Sequence, residues 1–345
     1  MTELIPQSDA PQAEIDEPLL RTDGLTKHFK IGNALSQRTL HAVDDVSFSI
    51  GEREIVALAG ESGSGKSTIA RLLARIYRPT GGEIFFEGKR LSSFRSRAAR
   101  LRYSGLVPMV FQDPFASLNP IFRVSHGVLR GLKLHRPDLD SKQQYEEAKR
   151  VFDVVGLTPA ADVLERYPHE LSGGQRQRVG FAQALAMRPK LILADEPVSM
   201  LDVSIRIGLL NVMAKLRDEE GVSILYITHD LASARYVSDR LIVMYAGQIA
   251  EAGPVEDVLA SPKHPYTQLL LSAVPDPKAE LNVAAETDRG EPPRVIDPEP
   301  GCRFRFRCPL AISQCHNQDP QLLQLSPGHS AACFVAQSGA EVKAF

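Results

Sequence analysis

The run Gly60-Glu61-Ser62-Gly63-Ser64-Gly65-Lys66-Ser67 decides how the rest of this chain is read. Before it, Glu54 to Ala59 is rich in Ile, Val and Leu, as a buried strand requires. After it, apolar residues fall at Ile69, Leu72, Leu73 and Ile76, a helical period. A strand, a glycine-rich turn and a helix opening on Lys-Ser are the context of a phosphate-binding loop. The missing side chains of Gly60, Gly63 and Gly65 let backbone N–H groups from Ser62 to Thr68 curl around phosphates, and the helix N-terminus adds positive potential. In such a loop Lys66 reaches the outer phosphates, and the Ser67 hydroxyl is placed to ligate magnesium.

Outward from this loop, the 345 residues, with 43% hydrophobic and 24% charged side chains, suit a globular protein with a sizeable core. A formal net charge of -2 gives no electrostatic reason to expect nucleic acid as a direct partner. No apolar run approaches bilayer length, so membrane work has to come through a partner. Residues 1–19 are acidic, lack the features of a secretory leader and read as a flexible tail.

Taken in order, 19–30 and 40–50 read as two strands joined by a polar loop. Phe29, about 30 residues before the phosphate loop, suits adenine stacking or a core position equally well by spacing. The arginines at 95, 97, 100 and 102 mark a solvated surface helix, and the apolar run 106–112 is expected to be a strand carrying Gln112 to its edge. From about 123 to 167 the pattern is helical, with Tyr145, Ala148, Val151, Phe152 and Val155 on one face. Ser172 then stands as an N-cap before Gly173, Gly174 and Gln175, leaving backbone donors able to face an anion. Leu191 to Ala194 is a fully apolar strand ending in Asp195 and Glu196, and another strand ends at His229. Asp195 suits orienting magnesium, Glu196 polarising an attacking water, His229 a hydrogen bond to a terminal phosphate, and Gln112 contact with the metal or the water.

These features together resemble the ATP-binding subunits of ABC transporters, and among them the dipeptide and oligopeptide importer group. Leu171 to Gln175 is similar to the ABC signature. The loop Ser199-Met200-Leu201-Asp202 departs mildly, because Met200 stands where Ala is usual. The resemblance implies an α/β P-loop NTPase cassette over residues 20–260, with a helical subdomain at about 113–180 and a small cysteine-containing extension at 261–345. It implies two cassettes paired head to tail, with ATP and Mg2+ between the phosphate loop of one and Ser172 to Gln175 of the other. It makes Phe29 the adenine-stacking residue and the loop from Gln112 to Pro120 the coupling loop, with Asp202 at the shared site. The implied partners are a second, related but non-identical cassette, two integral membrane permease subunits and, indirectly, an extracytoplasmic solute-binding protein. The implied place is peripheral, on the cytoplasmic face of the inner cell membrane. An importer of oligosaccharides or another solute, and a soluble ABC ATPase acting on nucleic acid or ribosomes, are the alternatives.

The four cysteines, Cys302, Cys308, Cys315 and Cys333, all lie in the last 44 residues. In a leaderless chain such a cluster points to metal rather than disulfides. Similar extensions in the family can carry a [4Fe-4S] cluster on four cysteines. By softness and count zinc suits four thiolates equally well, and reduced structural cysteines without metal also fit. His316 and His329 stay outside the ligand set because four cysteines suffice.

Overall fold

The computed structural model describes residues 17–32, 36–113, 118–273, 295–340 and 342–344. Most of the expected N-terminal tail, part of the Gln112 to Pro120 loop and most of the charged, proline-rich stretch before residue 300 lie outside these residues.

The two long opening strands β1 (Leu20–Ile31) and β2 (Arg38–Ile50) pair antiparallel. Next come β3 (Ile55–Ala59), helix α1 (Lys66–Leu73), β4 (Gly81–Phe86) and the two-residue β5 (Lys89–Arg90). Helix α2 (Arg97–Leu106) keeps all four of its neighbouring arginines exposed, as its composition predicts. The expected strand after it shortens to β6 (Met109–Val110). The helix consumes Leu106, and Pro108 has no N–H to give a ladder.

The helical stretch divides into α3 (Val124–His135), α4 (Ser141–Val154) and α5 (Ala160–Leu164). Asp140 starts α4 with a capping box that Gln143 completes, and Ala148, Val151 and Phe152 are its buried face. Then follow α6 (Gly173–Ala186), β7 (Leu191–Asp195), α7 (Val203–Asp218), β8 (Ser223–Thr228), α8 (Leu231–Val237) and β9 (Arg240–Tyr245). A tight turn with Ala246 at φ 49° and Gly247 at φ 86° leads into β10 (Gln248–Pro254), which pairs antiparallel with β9.

β3 lies between β8 and β9 and runs parallel to both, while β7 runs parallel to β8. Buried on both faces, these strands read as apolar runs rather than alternations. Their pleat still sorts side chains: Ile55, Ala57 and Ala59 join one core, and Val56 and Leu58 join the other. No helix among the described residues is long and apolar enough to cross a membrane.

After β10, α9 (Val255–Ala260) leads into the C-terminal extension, where α10 (Pro265–Ser272) follows and α11 (Ser313–Asn317) carries Cys315. The strands β11 (Leu323–Ser326) and β12 (His329–Ala331) form a hairpin. β12 pairs with β10, so the extension prolongs the central sheet in the order β11-β12-β10-β9-β3-β8-β7-β6. Glu251 of β10 is fully buried at this junction. It accepts from the backbone N–H of Lys263 (2.6 Å) and His264 (2.9 Å) and pairs with Nε2 of His329 (2.6 Å).

Candidate nucleotide site and cysteine pocket

The register of the parallel strands brings the candidate residues together. Ala59 stands opposite Thr228 and Asp195 opposite Ile227, so β3, β7 and β8 end side by side. The loop after β3, the acidic pair at the end of β7 and His229 after β8 therefore emerge at one edge, the carboxyl ends of the strands, where open α/β sheets bind ligands.

The loop from Gly60 to Ser67 curls tightly. Gly60 (φ 147°) and Gly65 (φ 106°) hold positive φ, and a Cβ on Gly65 would fall 2.3 Å from the carbonyl oxygen of Ala42. Glycine is the residue that allows both the torsion and the approach. Lys66 folds back over the loop, donating to the carbonyls of Gly60 (2.7 Å) and Glu61 (2.9 Å). Burial lowers its pKa, while the carboxylates of Glu196, Asp195 and Glu61 act in the opposite direction. The neighbouring Ser67 donates its hydroxyl to Oδ1 of Asp195 at 2.9 Å. Burial raises the Asp195 pKa, and the Ser67 hydrogen bond opposes that rise. A hydroxyl and a carboxylate converging at a loop of backbone donors form an all-oxygen set suited to magnesium.

Glu196 sits at φ 47°, a left-handed torsion that is uncommon for a residue with a side chain. Its Oε2 accepts from Nε2 of Gln112 at 3.0 Å and lies 3.4 Å from Nδ1 of His229. Phe29 is half-buried at the end of β1, with its ring edge-on to Tyr77 at 5.5 Å, and it does not belong to either core. Ser62, Gly63, Ser64 and Thr68 occupy the turn and first helical residues between these groups.

Ser172 to Gln175 open the helix α6, a different element from the phosphate loop. Ser172 caps α6, accepting from the N–H of Gln175 (3.2 Å) while its own N–H donates to Oε1 of Gln175 (3.0 Å). Gly174 packs so closely on α7 that a Cβ would meet Cγ2 of Ile205 at 2.3 Å. Asp202 caps α7 through Ile205, and that backbone hydrogen bond lowers its pKa. A cleft of ≈ 630 Å³ beside Ser67, Gln112 and Asp195 is not lined by any residue from Ser172 to Gln175.

The sequence and structure of this chain match known proteins along both of its parts. Residues 43–199 fit the family model described as ABC transporter, and residues 250–315 fit the oligopeptide/dipeptide transporter, C-terminal region. A Bacillus subtilis oligopeptide transport ATP-binding protein is 41% identical over 324 residues, covering 92% of this chain and 98% of that protein. A Brucella ovis protein named for peptide import and ATP binding is 43% identical over 319 residues, covering 92% of this chain and 98% of its own. The chain belongs to the ABC transporter family.

Solved ABC cassettes carry the same fold. One, a dimer in a post-hydrolysis state with ADP and phosphate, matches with TM-score 0.61 at 27% identity over 68% of this chain and 98% of its own. Another, from Clostridium perfringens, matches with TM-score 0.60 at 26% identity over 70% of this chain and 91% of its own. This ABC chain is thus an α/β cassette of ATPase type.

The extension gathers its cysteines. Cys302, Cys308, Cys315 and Cys333 line one small cavity, and none of the four is paired in a disulfide. Burial pushes the Cys302 thiol up to about 12 and the Cys308 thiol up to about 11, and it raises Cys333 as well. Mutual repulsion of thiolates adds to each rise, and a bound cation inverts that logic. Among the described residues, no three of the thiols come within 4.8 Å of one another. Four thiolates at about 2.3 Å from a single tetrahedral zinc would be roughly 3.8 Å apart. The thiols therefore stand farther apart than the four ligands of a single tetrahedral zinc. His329 is occupied by Glu251, and His316 lies edge-on to Phe306.

Some groups near the site carry no sequence motif. His28 and His41 each bond one oxygen of Asp44, at 2.9 Å and 3.0 Å, and Arg303 of the extension reaches the same carboxylate. Arg307 and Tyr266 reach Glu61 of the phosphate loop. The only local hint is the alternation Arg303, Arg305, Arg307 between two cysteines.

Proposed function

We propose that this chain is the ATP-hydrolysing subunit of a membrane importer of dipeptides and oligopeptides. The observation that carries the engine role is the 2.9 Å contact between Ser67 and Asp195, with Glu196 next in sequence at a strained torsion. The cargo reading is supported by the C-terminal region match over 250–315 and by the peptide-import relatives.

In this reading the backbone donors of Gly60 and of Ser62 to Thr68 cradle the phosphates, with Lys66 on the β- and γ-phosphates and Phe29 against the adenine. Ser67 and Asp195 would hold magnesium, which would neutralise charge on the transferring phosphoryl group. Gln112 contacts the magnesium or the water and couples the site to the membrane subunits. Glu196 orients the attacking water and takes its proton, and His229 reports the γ-phosphate by a hydrogen bond. Ser172, Gly173, Gly174 and Gln175, with Asp202, complete the site of a second cassette. The cleft beside Ser67 and Asp195 is lined by Gln177, Gly180, Gln183 and Ala184 of α6 but not by its N-terminal residues, which suits that division of labour.

The partners in this proposal are a related, non-identical cassette, two permease subunits and, at one remove, a solute-binding protein, with the chain peripheral on the cytoplasmic membrane face. Its division is a cassette over 20–260, including the helical subdomain at 113–180, and an extension over 261–345. The four cysteines would hold a [4Fe-4S] cluster, whose part would be to staple the extension, zinc being the second reading. Peptide uptake by vesicles holding the assembled transporter tests the function. Uptake should need internal ATP and vanish with Lys66→Ala; uptake independent of this chain's Lys66 would refute it.

A further inference from the structure

The phosphate loop is gripped from two sides. Lys66 binds the carbonyls of Gly60 and Glu61 from within. From outside, the extension takes hold of Glu61 at both its backbone and its side chain. The N–H of Glu61 donates to the phenol oxygen of Tyr266 at 2.8 Å. Its carboxylate receives a two-pronged guanidinium, with Nη1 of Arg307 at 2.8 Å from Oε2 and Nη2 at 3.0 Å from Oε1.

Both holding groups are rigidly seated. Tyr266 is fully buried, with its ring 4.5 Å from that of Tyr245 and 5.5 Å from that of Phe304. The Arg307 side chain is 12% exposed and lies 5.8 Å from the Tyr245 ring and 5.9 Å from the Phe304 ring. Arg307 precedes Cys308 directly, so the turn that presents it is the turn that presents two of the four thiols. A planar, two-pronged pair of this kind fixes direction as well as charge.

Glu61 needs such a hold because of where it sits. The loop concentrates backbone donors and one ammonium for an anion, and Glu61 places a carboxylate in its second position. Its charge already acts on Lys66. Unrestrained, that carboxylate would compete with phosphate for Lys66 and repel the incoming anion at short range.

We infer that Arg307 and Tyr266 of the C-terminal extension are positioning residues for nucleotide, holding the Glu61 carboxylate out of the phosphate cradle and fixing the loop's first turn. The extension is thus a working part of the nucleotide site. The inference rests on the reading of this loop as the ATP site.

The test is Mg-ATP titration of the full-length chain, followed by steady-state hydrolysis in the assembled transporter. Arg307→Met should weaken ATP binding about tenfold, the effect expected from losing a charged hydrogen-bonded partner, and Glu61→Gln in that background should recover most of it. Arg307→Lys, which keeps the charge and stem but loses the fork, should fall between wild type and Arg307→Met. In hydrolysis the loss should appear in KM, with kcat retained. Rescue by Glu61→Gln separates positioning from a merely structural role, since removing a second polar contact would not repair a misfolded extension. Wild-type affinity in both Arg307 variants, or a double variant as weak as Arg307→Met, would overturn the inference. If the wild-type chain binds Mg-ATP no better than Lys66→Ala, the site reading itself falls, and this inference with it.

Discussion

The side-chain amide of Gln112 donates to Glu196 Oε2 at 3.0 Å, joining the end of β6 to the end of β7 across 84 residues of sequence. The same oxygen lies 3.4 Å from Nδ1 of His229. Three side chains that the sequence places on three different segments thus meet at one carboxylate oxygen. Gln112→Ala removes the amide from that oxygen, in an exposed setting where one such bond counts for about 1 kcal/mol. Steady-state hydrolysis should fall several-fold with little change in KM for ATP. A large rise in KM would instead make Gln112 a binding group.

Ser172→Ala removes the N-cap of α6 and, in the proposed head-to-tail pair, a donor to the partner cassette's nucleotide. The cap alone is worth about 1 kcal/mol of stability. Dimers combining this variant with wild-type cassettes should trap ATP poorly in the site opposite the altered chain and normally in the site containing its own Lys66. Equal impairment of both sites would reduce the effect to lost stability.

The local motifs were readable because their residues are contiguous. Gly60 to Ser67, Leu171 to Gln175 and the carboxylates at the end of β7 each lie within eight residues, and the flanking apolar patterns place them at the ends of strands and the starts of helices, as found. What joins them is less legible. That β12 pairs with β10, or that Arg307 meets Glu61 from 246 residues away, depends on sheet register and packing, which leave no trace in local periodicity. The run 106–112 shows the limit of pattern alone: its apolarity is real, but a helix and Pro108 claim most of it, leaving a two-residue strand. Convergence of the four cysteines on one small cavity could be expected from their count, but not how far apart their thiols stand.

His264 ties acid stability to the junction between cassette and extension. Its ring is buried and accepts the N–H of Tyr266 at 3.0 Å, and burial lowers its pKa to about 4, with the charge of Glu251 acting the other way. An unfolded histidine titrates near 6.5, so between about pH 4 and 6.5 the unfolded chain binds the proton and the folded chain does not. The contribution is therefore intact above about pH 6.5, shrinks as pH falls and levels off below about 4, for a total of up to about 3 kcal/mol. His264→Asn, which keeps a capping acceptor, should flatten the difference in denaturant midpoints across that interval. An unchanged slope would place the acid sensitivity elsewhere.

Metal analysis of the anaerobically purified chain decides the chemistry of the cysteine cavity. About four iron and four sulfide per chain are expected for a cluster on the four thiolates. Both should be lost together in Cys308→Ser, along with the visible absorption. One zinc per chain, or four free thiols with an unaltered fold, would remove the iron–sulfur reading and leave the nucleotide site untouched.

The mechanism depends most heavily on Glu196 as the group that activates water beside a magnesium-bound phosphate. The direct test is a paired measurement on Glu196→Gln in the assembled transporter, of Mg-ATP affinity and of steady-state hydrolysis. Affinity should be unchanged while turnover falls by about 10²–10⁴, the contribution of a positioned general base. Turnover equal to wild type, with the variant's occupancy confirmed, would contradict the mechanism and move the catalytic base away from this carboxylate.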